Sequence, residues 1–466
     1  MTETHSSPPA PRSWFERLWS SIAERGRQHA SLPAEAVTGL ERAKLLAQAL
    51  LSGRGEASGA ALAKELQTVV QRLAAGDRLE FQRYLATDFA PDPVLLKAAA
   101  EAYLASPDPK TVATLAETVE PPRQELLRRM NMSPGGTASL VALRKELLGR
   151  LKEHPELAPL DGDLRHLLGS WFNRGFLELR RIDWQTQAAV LEKLITYEAV
   201  HEIQGWNDLR RRLAPDRRCF GFFHPALPGE PLIFVEVALV EGLAAAVQSL
   251  LAPAGDDAEA REREARADTA IFYSISNCQD GLRGVSFGNF LIKQVVEELK
   301  AELPNLTRFS TLSPVPGFRR WLEKRLPAEG SDLPALLATE RWWEQPPVAE
   351  TLRPALLREC AVYLTRPPGD KASVDPVARF HLGNGARLEQ VNWLGNVAPR
   401  GIKESYGIMV NYLYDLPTIE SNHEAYVRDG TVVRSAAVDA LIAPQPVPGA
   451  GRGLRRRARR TPSKQD

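Results

Sequence analysis

Apolar side chains recur every three or four positions through the first part of the chain, from about residue 35 to residue 170. One stripe, Leu62, Leu66, Val69 and Leu73, would occupy a single face of an α-helix. No convincing run in this part alternates between apolar and polar side chains. We therefore predict that this part is all-α.

Glycine and proline mark the ends of the predicted helices. Gly76 is expected to cap the C-terminus of the first stripe. Pro134-Gly-Gly-Thr137 is expected to start a second helix, whose leucines run from Leu140 to Leu151. Further prolines between Pro91 and Pro155 divide this part into roughly five or six helices. Helices with apolar stripes of this kind pack into a bundle.

After about residue 185 the pattern changes to short β-branched or aromatic runs bounded by turn residues. Pro231–Leu239 and Ala270–Ile275 are the clearest strands. Helical spacing returns between Ile292 and Leu303, and the charged stretch Asp256–Asp268 is expected to be a solvated helix or loop. Further strand candidates are Arg308–Leu312, Val377–Leu382 and Ile408–Tyr414. The expected fold class is α+β, with an N-terminal all-α helical bundle followed by an α/β domain.

Charge and composition narrow the possible classes of function. The chain has 466 residues, and its 59 lysines and arginines nearly balance its 58 aspartates and glutamates. No overall field therefore attracts nucleic acid or an anionic membrane. The three cysteines are too widely spaced for a disulfide framework or a CxxC metal site. Neither a secretory signal nor a bilayer-spanning stretch is recognised, so we expect a cytoplasmic protein.

A glycine-bearing segment, Gln279–Asn289, connects the second strand candidate to a predicted helix. Such a turn presents backbone N–H groups and the positive end of a helix dipole, which together suit a pyrophosphate. Gly281, Gly284 and Gly288 would allow a phosphate to approach the backbone closely, and Arg283 would add a positive charge. A turn without any ligand explains the pattern equally well. The spacing matches neither the dinucleotide fingerprint nor the Walker loop.

Three short motifs in the second half of the chain occur in an order that resembles a known family. They are Gly281-Leu-Arg-Gly-Val285, Ser313-Pro-Val-Pro-Gly-Phe318 and Phe380-His-Leu-Gly-Asn-Gly-Ala386. Together they resemble the malonyl-CoA decarboxylase family, and the resemblance covers most of the chain from about Asp183 to Tyr414. The segment Gln279–Asn289 is also similar to the CoA-pyrophosphate loop of the GNAT-type acetyltransferases, although its glycines are further apart.

The resemblance implies an enzyme with two domains. In that family an N-terminal helical domain serves self-association, and a C-terminal acetyltransferase-like domain carries the active site. A dimer and a tetramer both remain open, and so does the role of the arginine-rich tail. The expected division is 1–12 as a disordered N-terminus, 13–173 as the helical oligomerisation domain, 174–442 as the catalytic domain and 443–466 as a disordered basic tail.

The resemblance also implies the site residues. Ser313 and His381 would be the catalytic pair that converts malonyl-CoA to acetyl-CoA and carbon dioxide. Ser313 would orient the malonyl carboxylate or relay a proton, and His381 would deliver a proton to C2. The CoA thioester is the substrate, and no metal or other cofactor is implied. The residues expected to bind the substrate are Ser313 and His381 together with Arg283, Gly284, Val285, Ser286, Phe287, Gly288 and Asn289.

Other polar residues of the second half have plainer explanations. His201 and His224 are expected to be structural, while Asn411 and Tyr412 would line the pocket or pack in the core. Two other functions remain open, namely a CoA-dependent acyltransferase on the same fold and a non-enzymatic CoA sensor. Fold alone cannot choose among the three. The presence of both Ser313 and His381 favours the decarboxylase.

Overall fold

The computed structural model describes residues 38–52, 56–198, 200–252, 256–285, 291–326, 332–366 and 375–443. The two segments predicted to be disordered, 1–12 and all of 443–466 except residue 443, lie outside these ranges. The chain folds into two compact units. The first consists of residues up to 242 with 253–307, and the second of residues 243–252 with those from 308 onward.

The described elements are numbered here in chain order. The helices are α1 (Gly39–Leu51), α2 (Glu56–Arg72), α3 (Ala75–Thr87), α4 (Pro93–Ala105), α5 (Pro109–Val119), α6 (Pro122–Asn131), α7 (Gly136–Arg150), α8 (Ala158–Trp171), α9 (Ala188–Tyr197), α10 (Trp206–Arg212), α11 (Val247–Leu251), α12 (Asp257–Arg266), α13 (Leu291–Glu302), α14 (Phe318–Glu323), α15 (Leu333–Leu337), α16 (Pro346–Thr365), α17 (Pro376–Gly383), α18 (Pro399–Ser405), α19 (Ile419–Asp429) and α20 (Ala436–Ile442). The strands are β1 (Glu178–Ile182), β2 (Arg217–Phe223), β3 (Pro231–Val240), β4 (Thr269–Asn277), β5 (Arg308–Thr311), β6 (Ser313–Pro314), β7 (Arg387–Asn392) and β8 (Met409–Leu413). In the described part of the chain, no helix combines the length and the apolar character needed to cross a membrane.

The helical first part is confirmed, but the predicted number of helices is too low. Eight described α-helices, α1 to α8, precede β1. Asp92 and Asp108 each cap a short helix that begins with proline, and their side chains accept hydrogen bonds from the first-turn backbone. The prediction for Gly76 is wrong, because the chain leaves α2 through the extended residue Ala74 and Gly76 lies in the first turn of α3.

Most of the predicted strands are confirmed, since β3, β4, β5 and β8 lie where they were expected. The charged stretch from residue 256 forms helix α12, and the expected helix after residue 291 is α13. The strand predicted for Val377–Leu382 is wrong, because these residues belong to helix α17. Asp375 accepts hydrogen bonds from the backbone N–H groups of Val377 and Ala378, and Pro376 is the first helical residue. This capping outweighs the strand-like alternation of the side chains.

The sheet of the first unit positions the predicted CoA loop. Strands β1 to β4 are consecutive antiparallel neighbours, with Cys219 opposite Glu236 and Glu236 opposite Ser274. Nearly every residue of β2, β3 and β4 is buried, as expected for strands covered on both faces. The loop that was predicted to bind CoA follows directly after the end of β4 at Asn277.

The strands of the second unit meet at β8. Ser310 of β5 pairs with Leu413, and Ser313 of β6 pairs with Val410, so the two short strands continue one antiparallel register along the same edge of β8. Strand β7 pairs with β8 as well, with Val391 opposite Val410. The helical first part followed by a part that mixes helices with a sheet confirms the predicted fold class.

Candidate active site

Ser313 is held at the edge of β8 by strand pairing. Its backbone pairs with Val410, and the residue is 5 % exposed. The Ser313 Oγ atom lies 3.1 Å from Nε2 of His381 and donates a hydrogen bond of 2.8 Å to Oγ1 of Thr311. The two residues that were predicted to form the catalytic pair are therefore in direct hydrogen-bonding contact, although 68 positions separate them in the sequence.

Helix α17 and strand β8 together enclose the imidazole ring of His381. The ring is stacked on Tyr412, with centroids 4.8 Å apart and planes 23° apart. Its Nδ1 atom lies 2.8 Å from the hydroxyl oxygen of Tyr414. His381 is 3 % exposed, so both ring nitrogens exchange hydrogen bonds with protein groups.

The direction of these hydrogen bonds assigns the proton on the ring. Because Ser313 donates its only hydroxyl hydrogen to Thr311, its oxygen must accept the hydrogen bond from Nε2–H of His381. Nδ1 then carries no proton and accepts from the Tyr414 hydroxyl. Thr311 also accepts a hydrogen bond of 3.2 Å from the backbone N–H of Tyr412. The result is a continuous chain of hydrogen bonds that presents Nε2–H to Ser313.

Burial sets the charge state of this chain. It lowers the pKa of His381 to about 3, so the imidazole is neutral at neutral pH. Burial also raises the pKa of Tyr414 well above its ordinary value, so the phenol keeps its proton and remains a donor to Nδ1. The pair is therefore an uncharged serine and imidazole rather than an ion pair.

Asp375 joins the segment after Ser313 to the helix that carries His381. Its carboxylate accepts hydrogen bonds of 3.0 Å from the backbone N–H groups of Gly317 and Val377. Burial raises its pKa, although these hydrogen bonds oppose the rise. This carboxylate therefore links the segments that carry the two members of the pair, and the sequence analysis did not single it out.

The structure separates the roles of two residues that were predicted together. Asn411 donates a hydrogen bond of 2.7 Å to the backbone oxygen of Thr311 and accepts one of 2.7 Å from Asn392. It therefore braces the strands in the core. Tyr412 is also buried, but its ring lies against His381. Only the second of these residues belongs to the candidate site.

Three residues that contact the pair or its helix were not identified from the sequence. Only one of the three has a recognisable signal in the sequence. Asp375 precedes a proline, which is a recognisable start of a helix. Thr311 and Tyr414 look like ordinary strand residues in the sequence, because β-branched and aromatic side chains are common in strands. Their roles follow from contacts with residues far away in the chain.

The predicted CoA loop begins in the first unit with a short 3₁₀ turn, Asp280–Leu282. Arg283 follows with a side chain that is 73 % exposed and pairs with Asp280 at 3.2 Å. Gly284 has a φ of 76°, a left-handed conformation that favours glycine, and Val285 is buried. The other residues predicted to bind CoA, Ser286, Phe287, Gly288 and Asn289, lie outside the described part of the chain.

The two histidines that were set aside in the sequence are buried in the first unit. Nδ1 of His224 accepts a hydrogen bond from the backbone of Ala226, and its ring packs on Phe172 with centroids 4.6 Å apart. Burial lowers the pKa of His224. A structural role for His201 and His224 stays a prediction. Within the described ranges, no three His, Cys, Asp or Glu side chains come together as a metal site.

A buried serine on a β-strand that is hydrogen-bonded to a buried histidine on a helix is an arrangement suited to an acid–base enzyme. Comparison with known families specifies which one. Residues 89–172 match the malonyl-CoA decarboxylase N-terminal domain, and residues 175–450 match the malonyl-CoA decarboxylase C-terminal domain. The chain belongs to the malonyl-CoA decarboxylase family. It is accordingly a decarboxylase, in the class of carboxy-lyases.

Individual relatives agree with this assignment. The mitochondrial malonyl-CoA decarboxylase of Anser anser anser is 38% identical over 354 residues, which is 69% of each chain. The enzyme of the same name from Rattus norvegicus is 36% identical over 348 residues, covering 68% of this chain and 70% of that one. Among solved structures, malonyl-CoA decarboxylase from Rhodopseudomonas palustris is 48% identical, with a TM-score of 0.81 over 87% of this chain and 100% of that chain. The Agrobacterium vitis enzyme is 49% identical, with a TM-score of 0.80 over 86% and 99%.

Because buried His381 is neutral, we predict that it makes the free energy of unfolding depend on pH. Its folded pKa of about 3 lies below the value of about 6.5 for an unfolded histidine, so the unfolded chain binds the extra proton first as the pH falls. This stabilisation is complete above about pH 6.5 and is lost on acidification toward pH 3. Between pH 7.5 and pH 5 the wild type should lose about 2 kcal/mol more unfolding free energy than His381→Gln.

Denaturant unfolding of both proteins at the two pH values measures this difference. Every other titrating group is shared by the two proteins, so its contribution cancels. Equal losses in the two proteins would mean that the folded pKa of His381 is close to its ordinary value.

Proposed function

We propose that the chain releases carbon dioxide from malonyl-CoA with Ser313 and His381 as its catalytic pair and without a metal or other cofactor. The observation that carries this proposal is the contact of 3.1 Å between Ser313 Oγ and His381 Nε2 inside a closed set of hydrogen bonds. The CoA thioester is the substrate, and malonyl-CoA is the small-molecule partner.

The reaction requires the protein to stabilise a developing negative charge and to supply a proton. The bond between C2 and the carboxylate carbon breaks, its electron pair moves into the thioester as an enolate, and carbon dioxide leaves. C2 then takes a proton, so acetyl-CoA is formed. Hydrogen-bond donors that face the developing charge lower the barrier, and a positioned acid delivers the proton.

The arrangement of protons supports His381 as the source of that proton. Its neutral ring carries the proton on Nε2, which faces Ser313. His381 delivers this proton to C2, either directly or through the Ser313 hydroxyl, and solvent later restores it. Alternatively, Ser313 turns its hydroxyl from Thr311 to the malonyl carboxylate and holds that group out of the thioester plane.

The segment Arg283–Asn289 is the proposed site for the CoA part of the substrate. Its described portion has the features that a pyrophosphate requires, namely a left-handed glycine at Gly284 and the exposed cation of Arg283. Helix α13 follows this segment, and the positive end of its dipole favours an anion.

Product analysis of purified protein tests the proposed function. Malonyl-CoA, without added metal or acceptor, should give acetyl-CoA and carbon dioxide. Ser313→Ala and His381→Ala should each lower kcat by roughly a hundredfold or more, the usual scale for losing an acid–base group or a charge-stabilising donor. Ser310→Ala is the matched control, because it removes a buried hydroxyl from the preceding strand, β5, without touching His381.

Each other result points to a different function. No turnover while malonyl-CoA still binds would contradict the decarboxylase and favour an acyltransferase or a CoA sensor. Malonate and free CoA as products would indicate hydrolysis, for which residues 284–288 carry a Gly-x-Ser-x-Gly pattern. Equal losses in Ser310→Ala and Ser313→Ala would show that the effect is structural.

The proposed protonation of His381 makes a prediction for Thr311. Thr311→Val removes the acceptor of the Ser313 proton, so Ser313 is free to donate to Nε2 and the ring moves its own proton to Nδ1. The variant should lose kcat by roughly ten- to a hundredfold, since the wrong tautomer faces the substrate. Thr311→Ser keeps the hydroxyl and should retain most of the activity. Steady-state kinetics of both variants measures the difference, and equal rates in the two would contradict the assigned proton direction.

Self-association through the helical region is the proposed quaternary feature, as a dimer or a tetramer. Helices α4 and α5 form a hairpin in which Ala99 is the one buried residue. Five of its large apolar side chains are instead exposed, and exposed apolar patches mark interaction sites. A second copy of this chain is the proposed partner. The most exposed residues are Val94, Leu95, Leu104, Val112 and Val119, at 73%, 61%, 78%, 50% and 50%.

The mass of the particle in solution tests this surface. Leu104→Glu should lower the average mass measured by light scattering, because a buried unpaired charge weakens an apolar interface by tenfold or more, on the order of the cost of losing an anchor residue. Val427→Glu changes an equally apolar residue, 64% exposed on α19, and should keep the wild-type mass. A monomeric wild type, or an unchanged mass for Leu104→Glu, would contradict the proposed surface.

The proposed compartment is the cytoplasm. The described thiols of Cys219, Cys278 and Cys360 are all buried and none forms a disulfide, which suits a reducing compartment. The curated relatives named above are mitochondrial enzymes.

A further inference from the structure

A buried arginine of the helical region holds the backbone of the proposed CoA loop. Arg144 lies on α7 and is 1% exposed. Its Nη1 atom donates hydrogen bonds of 2.8 Å to the backbone oxygen of Gly281 and of 2.9 Å to that of Arg283. Its Nε atom donates to Asp161 of α8 at 2.8 Å. One guanidinium therefore connects two helices of the helical region to both sides of Leu282.

Two further contacts bring α7 against the same loop. Gly281 packs so closely on the helix that a Cβ atom there would lie 2.0 Å from the backbone oxygen of Val141. Lys145 pairs with Asp280 at 3.1 Å. The loop is thus held by a buried cation, a close backbone approach and a surface ion pair, all from one helix.

We infer that Arg144 is a positioning residue for the CoA part of the substrate. The inference rests on the proposed function of the loop Arg283–Asn289. In a trans peptide the carbonyl and the following N–H point in opposite directions, so holding the oxygen of Arg283 turns the N–H of Gly284 away from Arg144. This N–H then faces outward, where a pyrophosphate would accept its hydrogen bond. The same contacts keep two carbonyl oxygens from facing the phosphates, which they would repel.

If Arg144 had a purely structural role, its loss would lower stability without a specific effect on CoA binding. A second buried arginine of the helical region serves as the control that distinguishes this role from a positioning role. Arg123, on α6, is 6% exposed and resembles Arg144 in its contacts. Its Nε atom pairs with Asp163, which like Asp161 belongs to α8, and its Nη1 atom donates to the backbone oxygen of Ala86 at 3.1 Å. Like Arg144, Arg123 is buried and its guanidinium binds both an aspartate of α8 and a backbone oxygen. The backbone oxygen that it binds belongs to the end of helix α3 and not to the proposed CoA loop.

The experiment compares Arg144→Gln with Arg123→Gln in the full-length chain. Both variants should unfold at a lower temperature than the wild type, since each loses a buried ion pair. Only Arg144→Gln should raise the KM for malonyl-CoA and the Kd for free CoA, each by roughly tenfold, while kcat changes by less than about threefold. Arg123→Gln should keep both constants within about twofold of the wild type.

Arg144→Lys is the second variant in case the glutamine variant does not fold. It keeps a cation beside Asp161 but lacks the planar fork that reaches two carbonyls, so KM and Kd should again rise. Arg283→Ala separates the inference from the function on which it rests. If Arg283→Ala raises the Kd for CoA and the Arg144 variants do not, the positioning role is wrong and the loop still binds CoA. If none of these variants changes the Kd, the proposed CoA site itself is wrong.

Discussion

The carboxylate of Asp375 is the interaction on which the candidate active site depends. It accepts one hydrogen bond from Gly317, four residues after Ser313, and others from the start of the helix that carries His381. A buried carboxylate keeps its donors because losing one leaves a charge without solvation. The segment and the helix are therefore fixed to one another through a single side chain. This connection joins the two segments that bring Ser313 and His381 within 3.1 Å of each other.

Strand β8 supplies the surroundings that keep His381 neutral. Tyr412 lies on β8 and Tyr414 directly follows its end. Side chains two positions apart in an extended chain share a face, so both reach the imidazole, one by stacking and the other by a hydrogen bond. Asn411, which directly precedes Tyr412, points to the opposite face and braces Thr311. The same strand thus removes His381 from water and positions the backbone next to its partner serine. Burial and positioning have a common structural origin.

The helical region and the proposed CoA loop are physically connected within the first unit. The oxygen of Gly281 is held by Arg144, and its α-carbon lies against the backbone of Val141. A side chain at position 281 would not fit, which gives this glycine a packing role besides the conformational freedom expected from its type. The motif that resembles a phosphate-binding loop is therefore also a contact surface for a helix more than a hundred residues earlier.

Periodicity and short motifs in the sequence determined the helical first part, most strands and, through family resemblance, the pair Ser313 and His381. These features depend on residues that are close together in the sequence, so they can be predicted from the sequence alone. The strand expected around His381 failed because alternation competes with the cap at Asp375, and only the folded chain shows which signal wins. Tertiary structure alone decided that Tyr414 contacts His381 across 33 positions and that Arg144 contacts Gly281 across 137. Such pairings arise from packing between distant segments, and a single sequence carries no local signal of them.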